Sequence, residues 1–269
     1  MTRLRAPRFG GQVRRLLFAA LLWLALVEQA WAAAVVAGVS LANTSALSVY
    51  TTGSFTPAAN DLLFVFFKVT GTAQAPTVTT STSIAFTQVA ASGTVEYAFV
   101  ANSLATNVSM TVSVDVTGAA GTGIALSVLR VSGMTNTGSA AVVQFDIDTG
   151  LAAATPTVTF ASSVTTSNPT VVALNNSTNP AGMTAPTNWT ERHDIGFNTP
   201  ATGLETASRD SGFTGTGVTW GSNSASAWTA IGVELDASAP AGGAPSLLPL
   251  LGVGERPAND NRARWREAG

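Results

Sequence analysis

Met110-Thr111-Val112-Ser113-Val114-Asp115-Val116 decides the fold class: Met110, Val112, Val114 and Val116 fall on one side of a two-residue repeat, and Thr111, Ser113 and Asp115 on the other. Successive side chains of a β-strand point to opposite faces, so this alternation belongs to a strand with one buried and one wetted face. Outward from it, runs of strand length recur at 62–69, 77–80, 95–101, 109–116 and 124–131, then at 142–147, 157–160, 170–174, 204–209, 218–220 and 227–235. The run LLFVFFKV at 62–69 is apolar enough to be buried on both faces. No stretch after residue 34 carries a sustained helical repeat, and turn pairs such as Thr56-Pro57, Asn60-Asp61, Thr117-Gly118 and Asn168-Pro169 separate the runs. Short strands at this spacing predict an all-β sandwich or barrel.

The runs also repeat in order. Phe86-Thr87-Gln88, Val95-Glu96-Tyr97-Ala98, a Thr/Val strand ending at Asp115-Val116, and IALSVLR at 124–130 come first. Trp189-Thr190-Glu191, Leu204-Glu205-Thr206-Ala207, Gly217-Val218-Thr219-Trp220 and WTAIGVE at 228–234 follow in the same order. Phe86 to Trp189 is 103 residues and Arg130 to Glu234 is 104. The near-constant offset predicts two similar halves. With no linker between them, they read as the facing halves of one sandwich rather than two separate small sandwiches.

Both ends differ from this middle. Residues 1–32 have the layout of an export signal: five arginines in the first fifteen residues, an apolar core at 16–27 (LLFAALLWLALV), and Ala30-Trp31-Ala32 before a first mature residue at Ala33. The apolar core falls short of the roughly 20 residues of a membrane-spanning helix, so cleavage is expected over retention as an anchor, and the protein is expected outside the cell, in the periplasm or at the cell surface. Residues 237–269 open with the Pro/Gly linker ASAPAGGAP and end in a mixed-charge tail. The folded domain is therefore placed at 33–236. It carries four cations (Lys68, Arg130, Arg192, Arg209) against eleven carboxylates, a formal charge of −7 that disfavours nucleic acid as a partner. The chain has no cysteine, which excludes disulfides and thiolate metal sites.

The motifs Trp189-Thr190-Glu191, Glu205-x-Ala207-x-Arg209, Phe213 to Trp220, and Ala227 to Leu235, with Asn60-Asp61-Leu62-Leu63 in the first half, give residues 38–236 a pattern that resembles phage virion and tail-associated proteins and related secreted bacterial proteins. The resemblance implies a jelly-roll-like β-sandwich of structural or carbohydrate-adhesive type. The export signal departs from what a virion protein assembled in the cytoplasm needs, and favours an exported bacterial protein.

Catalytic groups are sparse. His193 is the only histidine and would have to serve any Ser-His-Asp triad, yet no Gly-x-Ser-x-Gly elbow supplies a nucleophile. It is expected as an exposed loop residue within the charged cluster Trp189, Glu191, Arg192, His193 and Asp194, which is the candidate ligand-binding site. Trp189 is the tryptophan expected at the surface; of Trp189, Trp220 and Trp228, two are expected in the core. Asp146 and Asp148 share one face of a strand end and are a candidate Ca²⁺ pair, with Asp115 as a further ligand; otherwise they are edge carboxylates that discourage aggregation. No other cofactor is expected. Glu205 and Arg209 are expected to form a surface ion pair. The composition and motifs thus point to a non-catalytic exported protein that binds a glycan or a partner protein. A structural virion or filament component that self-associates is the alternative, and a polysaccharide hydrolase using Glu191 and Glu205 a distant one.

Overall fold

The computed structural model describes residues 33–71, 75–93, 95–116, 122–134, 137–151, 155–177, 183–221 and 226–237. The predicted export signal and all but the first residue of the linker and tail lie outside them. The first half contains β1 (Ala34–Asn43), β2 (Val49–Thr51), β3 (Leu62–Val69), β4 (Thr77–Thr80), β5 (Thr87–Ser92), β6 (Glu96–Asn102), β7 (Val112–Asp115) and β8 (Ile124–Ser132). The second contains β9 (Val142–Gly150), β10 (Thr157–Thr159), β11 (Thr170–Asn176), β12 (Thr190–Asn198), β13 (Ala201–Arg209), β14 (Gly217–Thr219) and β15 (Trp228–Leu235). The described residues form an all-β fold with one short 3-10 turn at Gly138–Ala141, and no helix among them is long and apolar enough to cross a membrane.

The five-stranded sheet of the first half runs β1-β8-β3-β6-β5, and that of the second runs β9-β15-β11-β13-β12. These are the same order, strand for strand. The small sheets match too: β2-β7-β4 in the first half, and β10-β14 in the second, where the Thr184 carbonyl accepts from the Gly221 amide at 3.0 Å in the place of a third strand. In the first half, residues 84–86 bond to β4 (Thr80 N to Ile84 O, 3.1 Å; Phe86 N to Val78 O, 3.1 Å) before the chain crosses to pair with β6 as β5. Strands alternating between a large and a small antiparallel sheet, with β8 between β1 and β3 and β7 between β2 and β4, form a jelly roll.

The duplication extends to irregular features. The bulge at Val89 in β5 recurs at Arg192 in β12, 103 residues on. Before β3 the Asp61 amide donates to the Ala58 carbonyl; before β11 the Asn168 amide donates to the Thr165 carbonyl. The Ala58 amide is taken by Asp61 Oδ2 at 2.8 Å, and Asp61 faces Arg130 at 3.8 Å. In the second half the corresponding Thr165 amide and Asn168 Nδ2 both donate to Glu234 Oε1, at 2.9 and 2.7 Å. Both halves close this turn with a carboxylate, but it sits at the start of β3 in one and on β15 in the other.

Three apolar layers explain the strand patterns. Tyr50, Phe67, Phe99, Val112, Val114 and Leu126 fill the first half between its small and large sheets. Phe160, Val172, Leu174, Ala207 and Trp220 do so in the second. Phe64, Phe66, Leu129, Val171, Ala173, Leu204, Ile231 and Val233 join the two large sheets to each other. The run 62–69 is continuously apolar because Phe64 and Phe66 face the other half while Val65 and Phe67 face their own small sheet. In β7, Val112 and Val114 point inward, while Ser113 and Asp115 are half-exposed on the outer face. The halves thus face each other through their large sheets, but each is itself a two-sheet sandwich with its own core, so the four β-layers are two packed sandwiches and not the single one expected. β1 lies against β12 and β5 against β9, the same counterparts exchanged, so a local twofold relates the halves.

Candidate functional site: a cleft in the second half

Trp189 immediately precedes β12. Its amide closes a turn onto the Pro186 carbonyl at 3.0 Å, with Asn188 in the left-handed region at φ 68°. Phe213 follows β13 after a turn in which Gly212 takes φ 79°, a conformation that favours glycine, and donates its amide to the Thr166 carbonyl. The two rings meet edge-to-face, with centroids 5.4 Å apart and planes at 65°. Both are half-buried, their inner sides resting on the core around Trp220. Arg209 ends β13 beside them, its Nε donating to the Ser211 carbonyl at 3.1 Å. Thr219, whose hydroxyl bonds that of Thr157 at 2.8 Å, contributes from β14. Together with Thr187 and Trp220 these residues line a cleft of about 450 Å³. Trp220 is fully buried and its Nε1 has no hydrogen-bond partner.

The charged cluster does not converge as the sequence suggested. It lies in strand β12, not in a loop, and the bulge at Arg192 divides it between the two faces of the sheet. Glu191 and Asp194 pair with Ala207 and Glu205 of β13, on the side of the second half's own core. His193 pairs with Thr206 and points between the halves, where its Nδ1 lies 2.8 Å from Ser127 Oγ; Ser127 in turn lies 2.9 Å from Thr206 Oγ1. Burial lowers the His193 pKa. Ser127 has no exposed surface, so this Ser-His contact is closed to a substrate. Arg192 turns aside to donate from Nε to Ser208 Oγ at 2.8 Å and faces Asp210 at 3.6 Å; burial lowers its pKa and Asp210 opposes the shift. Asp210 also takes the Val35 amide at 3.0 Å, tying the halves together. Of the five predicted residues, only Trp189 lines the cleft.

Glu205 overturns the expected surface ion pair. Residues four apart on a strand are separated by about 13 Å, beyond ion-pair reach. Arg209 sits at the strand end, while Glu205 is fully buried with neither carboxylate oxygen hydrogen-bonded. Burial pushes its pKa up to about 8, reinforced by Glu191 and Asp194. Glu191 is exposed but Glu205 is not, so the two do not flank a space that a sugar ring could enter. Asp146 and Asp148 do share a face of β9, an edge strand, but each is engaged locally: Asp146 Oδ1 takes the Ile147 amide at 2.8 Å and Asp148 Oδ2 the Thr159 amide at 2.7 Å. Asp115 lies in β7, in the small sheet of the first half. Among the described residues no three His, Asp or Glu side chains form a group that could hold a metal ion.

A second concavity, of about 430 Å³, lies between the edge strands β5 and β9, lined by Gln88, Val89, Val142, Val143, Gln144 and Phe145. Val143 and Phe145 are about half exposed, at 51% and 47%.

No family model matches the chain, no curated protein is detectably similar to it, and no solved structure matches it.

Proposed function

We propose that this protein is an exported, non-catalytic carbohydrate-binding module whose site is the cleft at Trp189. The observation that carries the reading is the pairing of Trp189 and Phe213 beside Arg209 and Thr219 in one cleft. Sugar rings present apolar C–H faces that rest on aromatic side chains, while hydroxyl and guanidinium groups hold their oxygens. Two half-buried rings, locked by each other and by the core beneath, form such a surface at little cost in side-chain entropy. The burial of Ser127 and Glu205 supports a non-catalytic role. The N-terminal sequence supports export. A glycan array probed with the protein and with Trp189→Ala tests the reading: binding to a defined glycan set that the variant loses supports it, and an array with no bound glycan refutes it.

A second reading, a structural component that assembles through its sheet edges, is favoured by one observation. The edge strand β9 exposes Val143 and Phe145 beside a groove. It predicts oligomers that grow with concentration; a protein that stays monomeric at millimolar concentration argues against it.

A further inference from the structure

The charges around the cleft bear on which saccharide it takes. Residues 33–236 carry a formal charge of −7, with only four cations. Two of them are in ion pairs: Arg130 faces Asp61 at 3.8 Å and Arg192 faces Asp210 at 3.6 Å. A third, Lys68, lies directly across the ladder from Glu96. Among the described residues Arg209 is in no ion pair, and it is the one cation lining the cleft. No Asp or Glu lines that cleft. In so acidic a domain, a guanidinium outside any ion pair in a carboxylate-free hollow stands out.

The local bonding narrows the chemistry. Arg209 Nε is occupied by the Ser211 carbonyl, which fixes the guanidinium and leaves the terminal nitrogens. Two terminal N–H groups in one plane match the two oxygens of a carboxylate. The Trp220 indole beneath is fully buried, its N–H included, and gives the cleft an apolar aromatic floor. The one charged group of the cleft is therefore a donor, and its aromatic wall suits a ring.

We propose that the cleft selects acidic saccharides, with the carboxylate of a uronic acid residue on Arg209 and its sugar ring against Trp189 and Phe213. This rests on the carbohydrate-binding reading of the same cleft and adds the ligand class.

The test is calorimetric titration of the protein with oligogalacturonate, oligomannuronate and oligoglucuronate, each against its fully methyl-esterified form, and with a sulfated neutral oligosaccharide. Methyl esterification removes the charge and leaves the ring. The expected result is that at least one free acid binds about 10–100-fold more tightly than its ester, the worth of a charge-assisted hydrogen-bond pair. Arg209→Gln should remove that difference, so that the acid and its ester bind with equal affinity. Arg209→Lys, which keeps the charge but loses the fork, should recover only part of it. The ester comparison needs no variant, so a folding defect in Arg209→Gln cannot obscure it. Equal binding of acid and ester overturns the selectivity and leaves the carbohydrate reading standing. Tighter binding of the sulfated sugar than of any uronate overturns the carboxylate assignment. Acid binding that survives Trp189→Ala but not Arg209→Gln refutes the ring contact. Failure of every oligosaccharide to bind, esters included, sinks both proposals.

Discussion

Alkaline pH should loosen the junction between the two halves, and Glu96 is the residue through which it acts. Glu96 lies on β6, 1% exposed, on the face turned toward the other half. Neither of its carboxylate oxygens has a hydrogen bond of good geometry. Burial raises its pKa from 4.5 to about 8, with Lys68 and the Thr229 hydroxyl opposing. The folded protein therefore holds this proton more tightly than the unfolded chain does. The stability linked to it is fully present below about pH 4.5 and is lost as pH rises through 8. At about 1.4 kcal/mol per pH unit across that window, the loss has an upper limit of about 5 kcal/mol. Glu96→Gln keeps the shape and removes the charge. We predict that the variant and wild type unfold within about 1 kcal/mol of each other at pH 5. At pH 9 the variant should be the more stable by several kcal/mol, on the order of 10 °C in Tm for a domain of this size. Scanning calorimetry at pH 5, 7 and 9 provides the measurement. An advantage of the variant that is the same at pH 5 and pH 9, or a wild-type Tm that does not move over the range, would show that Glu96 is not buried in its protonated form.

Trp189→Ala should abolish saccharide binding while changing Tm by only a few degrees, because one side of the ring faces the cleft; near-ultraviolet circular dichroism and calorimetry separate loss of binding from loss of fold. Phe64→Ala, at the junction of the large sheets, should cost about 3–5 kcal/mol in urea unfolding, and a cost below 1 kcal/mol would mean that this junction is not a packed core. Gly232→Ala should destabilise by about 1–3 kcal/mol, since a Cβ on β15 would meet the Phe160 ring at 2.7 Å; an unchanged Tm would show that the ring can move aside. If the protein assembles through β9, Phe145→Asp should shift the sedimentation profile at high concentration toward monomer.

Most of the central strands were legible in the sequence because burial on one or both faces leaves a clear pattern. Strands β3 and β4 match the predicted 62–69 and 77–80, and β6, β8, β11, β13 and β15 lie within two or three residues of the predicted runs. The strands that were not read out are β1, β2, β5 and β12. All four are sheet edges, where only part of each side chain is covered and polar or small residues suffice: TQVAAS in β5, TERHDIGFN in β12. The repeat was legible as matched motifs at offsets of 103 and 104, but not the four-layer outcome, which depends on which face of each large sheet meets the other half.

The cleft was legible only at Trp189. The neighbouring charges looked like one cluster because a bulge, which shifts the alternation by a residue, leaves no mark in sequence. Arg209 was hidden behind a supposed partner, Glu205, through a spacing that joins residues on a helix and separates them on a strand. Phe213 reaches Trp189 through the tertiary fold alone, 24 residues away in the chain.

The indole N–H resonances of the protein, followed by NMR during saccharide titration and assigned with single Trp→Phe variants, report whether a saccharide occupies the cleft at Trp189. With a saccharide in the cleft, the Trp189 signal moves with saturation, accompanied by Trp220 beneath it, while Trp228, outside the cleft lining, stays in place. A bound saccharide that leaves Trp189 unmoved and shifts Trp228, or none of the three, would contradict binding in the cleft.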